Sequence, residues 1–135
     1  MSSTIVFINE EYKDTELIKI GCQLAGIDDI ILFNNVLEAQ ELLITLEDFL
    51  LPGLIVIDIT AIQDVALDLV KFLKSEERYA VMKIAVIATD FATDDINSFR
   101  ELEVDGIFIK PTGIPDFQTL CLKLKELAEP QQVQS

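Results

Sequence analysis

The sequence has no histidine, no tryptophan, only two cysteines, and 10 Lys and Arg against 24 Asp and Glu in 135 residues. Each shortage closes off a class of chemistry. Without histidine there is no His-ligated zinc and no Ser-His or Cys-His nucleophile pair. Cys22 and Cys121 lie far apart in sequence, on apolar helix faces and with no CxxC spacing, and both read as buried free thiols. The net charge of −14, with no clustered Lys or Arg, argues against direct nucleic-acid binding, because phosphate neutralisation supplies most of that affinity. The acidity reads first as a well-solvated surface and names no ligand. No apolar run approaches the ~18 residues of a membrane span, and the N-terminus lacks the basic region and apolar core of a secretion signal. The expectation is a soluble, cytoplasmic protein with no membrane contact.

Half of the residues are apolar, enough for one domain that buries roughly two-thirds of its unfolded surface. Residues 1–129 are expected to form it, with 130–135 as a short tail. Short continuous apolar runs occur at Ile5 to Ile8, Ile30 to Phe33, Leu54 to Ile57, Ile84 to Ala88 and Ile107 to Ile109. Such runs suit strands buried on both faces, as in parallel sheets. Helical patterns fill the gaps: Leu17, Ile20 or Gly21, and Leu24 share one face, as do Val36, Ala39 and Leu43, then Val65, Leu69 and Phe72 or Leu73. Thr93 can cap a helix that begins with Asp94 and Asp95 and continues through Ile96, Phe99 and Leu102. Pro115 suits the first turn of the last helix, with Phe117, Leu120, Leu124 and Leu127 as its seam. The order reads (βα)₅, an α/β chain whose right-handed crossovers make a doubly wound, flavodoxin-like parallel sheet.

The ends of the strand-like runs carry the chemistry. Asp58 closes the strongest run, Leu54-Ile55-Val56-Ile57, and Lys110-Pro111 closes Gly106-Ile107-Phe108-Ile109. The C-terminal ends of parallel strands converge on one sheet edge, where open α/β proteins keep their sites, so a carboxylate and an ammonium are expected to meet there. Asn9, Glu10 and Glu11 follow the first run and reach the same edge, because strands one and three are neighbours in the order 2-1-3-4-5.

In this order, within one (βα)₅ chain, these residues make residues 4 to 128 resemble the receiver domain of bacterial response regulators. The resemblance implies phosphoryl transfer to Asp58 from a histidine kinase, a phosphotransfer protein or a small phosphodonor, with Lys110 pairing with the phosphoryl oxygens. It implies Mg²⁺ held by Glu10, Asp58 and the backbone carbonyl of Thr60, with Asn9 contributing through a water. Clustered carboxylates repel one another unless a cation offsets them, and a hard oxygen-ligated ion suits that role. It also implies a downstream protein target, and a possible homodimer through the face of helix four, strand five and helix five. No enzymatic activity is expected beyond self-phosphorylation and self-dephosphorylation.

The chain departs from the family pattern at several places. Asn9 and Glu10 stand where receivers carry two acids, so metal binding weaker than usual is expected. Where a Ser or Thr usually follows strand four, spacing back from Lys110 lands on Ala88. Thr89 is one place on and reaches the site only if the strand ends there. Ile107 takes the place of the usual strand-five aromatic, with Phe108 next to it. By resemblance, Thr60 and Asp90 tune hydrolysis of the acyl phosphate.

Blander readings stand beside these. Asp58 can be a solvated strand-end residue, Lys110 a surface lysine, Glu10 and Glu11 the acidic first turn of a helix, and Asn9 its cap. A haloacid-dehalogenase-like site would need a second Asp where Thr60 stands, and a flavodoxin-like mononucleotide site would need a loop less acidic than Asn9 to Asp14. The leading reading is a single-domain response regulator. The alternative is a pseudo-receiver, an interaction module of the same fold that works without phosphorylation.

Overall fold

A computed structural model describes residues 4–10, 14–60, 62–90 and 96–129. Five strands, β1 (Ile5–Ile8), β2 (Ile30–Phe33), β3 (Leu54–Asp58), β4 (Lys83–Ala88) and β5 (Gly106–Ile109), form one sheet. Every pairing is parallel and the order is β2-β1-β3-β4-β5, as the sequence predicts. Between and after them lie α1 (Thr15–Leu24), α2 (Val36–Thr45), α3 (Gln63–Ser75), α4 (Ile96–Glu101) and α5 (Ile114–Ala128).

Strand residues alternate between two faces, and each face has its own core. Val6, Ile8, Ile55, Ile57 and Val86 pack with Ala39, Leu43, Ala66, Leu69 and Phe99 from α2, α3 and α4. Ile5, Phe7, Leu54, Val56 and Ile87 pack with Ile18, Cys22, Phe117, Cys121 and Leu124 from α1 and α5. The central strands β1 and β3 are buried throughout and β4 nearly so, which is why their sequences read as unbroken apolar runs. The edge strands β2 and β5 are only half-buried, although their sequences look the same.

Two predicted helix faces are rotated. In α1 the buried residues are Ile18, Gly21 and Cys22, while Leu24 is exposed. In α3 they are Ala66, Leu69, Val70 and Leu73, while Val65 is exposed. In both helices a one-residue ambiguity in the apolar stripe is resolved by small residues, Gly21 and Ala66, that let the helix lie close. The α2 face of Val36, Ala39 and Leu43 is as predicted. Pro115 sits in the first turn of α5, and Phe117, Leu120 and Leu124 are buried along it, with Leu127 partly buried. The predicted cap at Thr93, with Asp94 and Asp95, and the tail 130–135 lie outside the described residues.

Candidate functional site

The topology brings the C-terminal ends of β1, β3, β4 and β5 to one edge. β3 runs one residue past its apolar stretch, so Asp58 is still in the ladder, opposite Ile87 of β4, and is 4% exposed. An ionised carboxylate buried this deeply requires partners on both oxygens. It has them. Oδ1 accepts hydrogen bonds from the Thr60 backbone N–H at 3.0 Å and the Thr60 hydroxyl at 2.6 Å. Oδ2 lies 2.9 Å from Lys110 Nζ.

Thr60 is held in turn. Its Oγ1 is 2.8 Å from Thr89 Oγ1. Because the one Thr60 hydroxyl proton goes to Asp58, Thr89 must donate to Thr60. A chain of hydroxyls therefore runs from the end of β4 to the Asp58 carboxylate. β4 stops at Ala88, so Thr89 is released from strand alternation and its side chain turns to the edge. Ala88, the residue favoured from spacing, is fully buried in the core shared with α2, α3 and α4. Its backbone carbonyl nevertheless matters: it accepts the Lys110 N–H at 2.8 Å and anchors the start of the Lys110 loop.

Lys110 touches a second carboxylate that the sequence reading did not assign to the site. Asp14 Oδ2 lies 2.6 Å from Nζ. The side chains of Lys110 and Asp14 are 13% and 11% exposed, so the contact is largely shielded from water. Burial alone would lower the pKa of the Lys110 ammonium, but the hydrogen bonds and charges of Asp14 and Asp58 together outweigh it and hold the group above the ordinary lysine value. Asp14 stands at the N-terminal cap position of α1 yet makes no capping hydrogen bond. The sequence places Asp14 just ahead of a helix; only the fold shows that it faces Lys110.

The remaining predicted residues are spread around this centre. Ile8 pairs with Ile57, which makes Asn9 the neighbour of Asp58 across the ladder; Asn9 is buried and its N–H donates to the Phe33 carbonyl. Glu10 is exposed, Glu11 lies outside the described residues, and Asp90 is exposed beyond Thr89. Ile107 packs toward the core under α3 and α4, and Phe108 toward the opposite core under α1 and α5. Asp14, Leu17, Thr60, Thr89, Lys110 and Thr112 line a cleft over the edge, through which a ligand can approach.

The donors at this edge are carboxylate, amide and carbonyl oxygens, the kind a hard divalent cation takes. They fit such an ion with less charge than three acids would supply: among the described residues, no three Asp, Glu, Cys or His side chains lie close enough together to hold a metal. The Lys110 ammonium already supplies one positive charge between Asp14 and Asp58.

No protein-family model matches the chain, and no curated protein is similar to it in sequence. Solved structures are similar in fold, and the class they define is the response regulator receiver domain. The phosphorylated cyanobacterial phytochrome response regulator RcpA shares 17% identity at a TM-score of 0.78, over 93% of this chain and 93% of its own. The Mn²⁺-bound form of response regulator Rcp1 shares 18% identity at a TM-score of 0.76, over 98% and 99%. A receiver domain from Rhodospirillum rubrum shares 21% identity at 0.74, over 90% of each chain. The chain thus has the receiver fold over at least 90% of its length. Among the described residues, no helix is long and apolar enough to cross a membrane.

Proposed function

We propose that this protein is a single-domain response regulator that accepts a phosphoryl group on Asp58 and signals through protein contacts. The observation that carries this reading is the Asp58 carboxylate at the edge of the sheet, oriented on one oxygen by Thr60 and paired on the other with Lys110. In the transfer step an Asp58 oxygen forms a bond to phosphorus while the bond from phosphorus to the donor atom breaks. The electron pair leaves with the donor, either the imidazole nitrogen of a phosphohistidine or the carboxylate of acetyl phosphate. Lys110 is within reach of the new phosphoryl oxygens and offsets their charge. Hydrolysis reverses the modification: water attacks phosphorus, phosphate leaves, and the Asp58 carboxylate returns.

A divalent cation, Mg²⁺ in our reading, would be held by Asp58, the Thr60 carbonyl, Glu10 and Asn9, and supplies neutralisation of the donor phosphate when bound. With neutral Asn9 in the set, its affinity is expected to be below that of sites with three acids. Thr60 and Thr89 orient the carboxylate, and Asp90 stands near enough in sequence to influence the attacking water. The partners are a histidine kinase or phosphotransfer protein on the input side and a protein target on the output side. Exposed Ile109 on β5 and Leu122 on α5 support the face of α4, β5 and α5 as the surface for that target or for a homodimer.

Intact mass after incubation with Mg²⁺ and acetyl phosphate or phosphoramidate tests the proposal. A phosphoryl adduct on the parent and none on Asp58→Ala is the expected result. No adduct with either donor or with a cognate kinase would leave the phosphorylation-independent module, a reading favoured by Ile107 in place of an aromatic.

A further inference from the structure

We propose that Asp14 is a positioning residue of this site: it holds the Lys110 ammonium in the resting state, and the phosphoryl group must take Lys110 from it. The inference rests on the reading of Asp58 as phosphoacceptor. Of the carboxylates that the described residues bring to Nζ, Asp14 is nearer, at 2.6 Å against 2.9 Å for Asp58. Asp58 keeps two hydrogen bonds from Thr60 on its other oxygen, whereas Asp14, whose backbone is already helical where it meets α1, makes no capping hydrogen bond.

The charges define the consequence. At rest, among the described residues, the ammonium lies between the Asp14 and Asp58 carboxylates. Phosphorylation of Asp58 replaces one of those carboxylates with a group of nearly twice the charge, which draws Lys110 toward the phosphoryl oxygens and leaves Asp14 facing a like charge across a few ångströms. Asp14 therefore opposes occupancy of the site by a phosphoryl group, and Lys110 reports that occupancy by changing partners. A ligand shifts such an equilibrium only through its different interactions with the two arrangements, and here the difference is the partner of one ammonium.

Two measurements on the full chain test this, with Asp14→Asn removing the charge and Asp14→Glu retaining it. In the metal-free protein, the ¹⁵Nζ–H correlation of Lys110, slowed in exchange by the ion pair, is expected in the parent and Asp14→Glu and lost in Asp14→Asn. Titration with beryllofluoride and Mg²⁺, followed by amide shifts, is expected to show Asp14→Asn binding about tenfold more tightly than the parent, with Asp14→Glu close to the parent. An unchanged Lys110 signal in Asp14→Asn, or binding no tighter than in the parent, overturns the role of Asp14. A parent that binds beryllofluoride no better than Asp58→Ala instead overturns the phosphoacceptor reading, while the Lys110 signal still reports on the Asp14 clamp.

Discussion

Replacing Lys110 with methionine keeps most of the side chain's apolar length and removes only the charge. Its effect can be worked out from the two contacts. At 2.9 and 2.6 Å and an effective dielectric near 20, each carboxylate gains about 6 kcal/mol of gross attraction from the ammonium. The carboxylates, touching one Nζ, sit at most about 5.5 Å apart and repel by about 3 kcal/mol. Desolvation of three charged groups cancels most of the gross attraction. What a measurement sees is the cost of leaving buried carboxylates without their cation, about 3 to 5 kcal/mol where one partner of a buried pair is removed. Side-chain exposures of 13% for Lys110 and 11% for Asp14 put the value at the lower end, about 3 kcal/mol at neutral pH.

The chain has no tryptophan, so urea unfolding of Lys110→Met is best followed by far-ultraviolet circular dichroism. The deficit reflects the repulsion between the two carboxylates as well as the lost ion pairs. Adding Asp14→Asn to the same chain should recover part of it. In the parent the Lys110 pKa is raised by folding, so its contribution is complete below the ordinary lysine value near ~10.4 and is lost as pH rises through the higher folded value. Lys110→Met should lack that alkaline loss. A deficit below about 1 kcal/mol that does not change with pH would mean that the ammonium is solvated like a surface ion pair, and the argument from burial would fail.

Asn35 caps α2 by accepting from the Leu37 and Glu38 N–H groups at 2.7 and 3.3 Å, and Asn35→Ala is expected to cost about 1 kcal/mol in urea unfolding while leaving phosphoryl uptake unchanged. Gly21 is where α1 approaches α5: a Cβ there would lie 3.1 Å from Phe117 Cβ and 3.3 Å from Cys121 Sγ. Gly21→Val should therefore destabilise by about 2 kcal/mol through overpacking, and a variant as stable as the parent would show that the two helices separate easily.

The parts of this fold that sequence reveals are those governed by local periodicity and by a topological rule. Leu54 to Ile57 reads as a buried strand because every residue in it is apolar, and Asp58 and Lys110 can be brought together in thought because parallel strands all end at the same edge. Thr89 is harder, since its direction depends on whether β4 ends at Ala88, a matter of one ladder position. Asp14 is harder still. Nothing in residues 9 to 14 encodes its separation from a lysine 96 positions later. Only the folded chain sets Asp14 Oδ2 against Lys110 Nζ, and in our proposal the ammonium's choice between Asp14 and Asp58 is the feature on which response to a phosphoryl group depends.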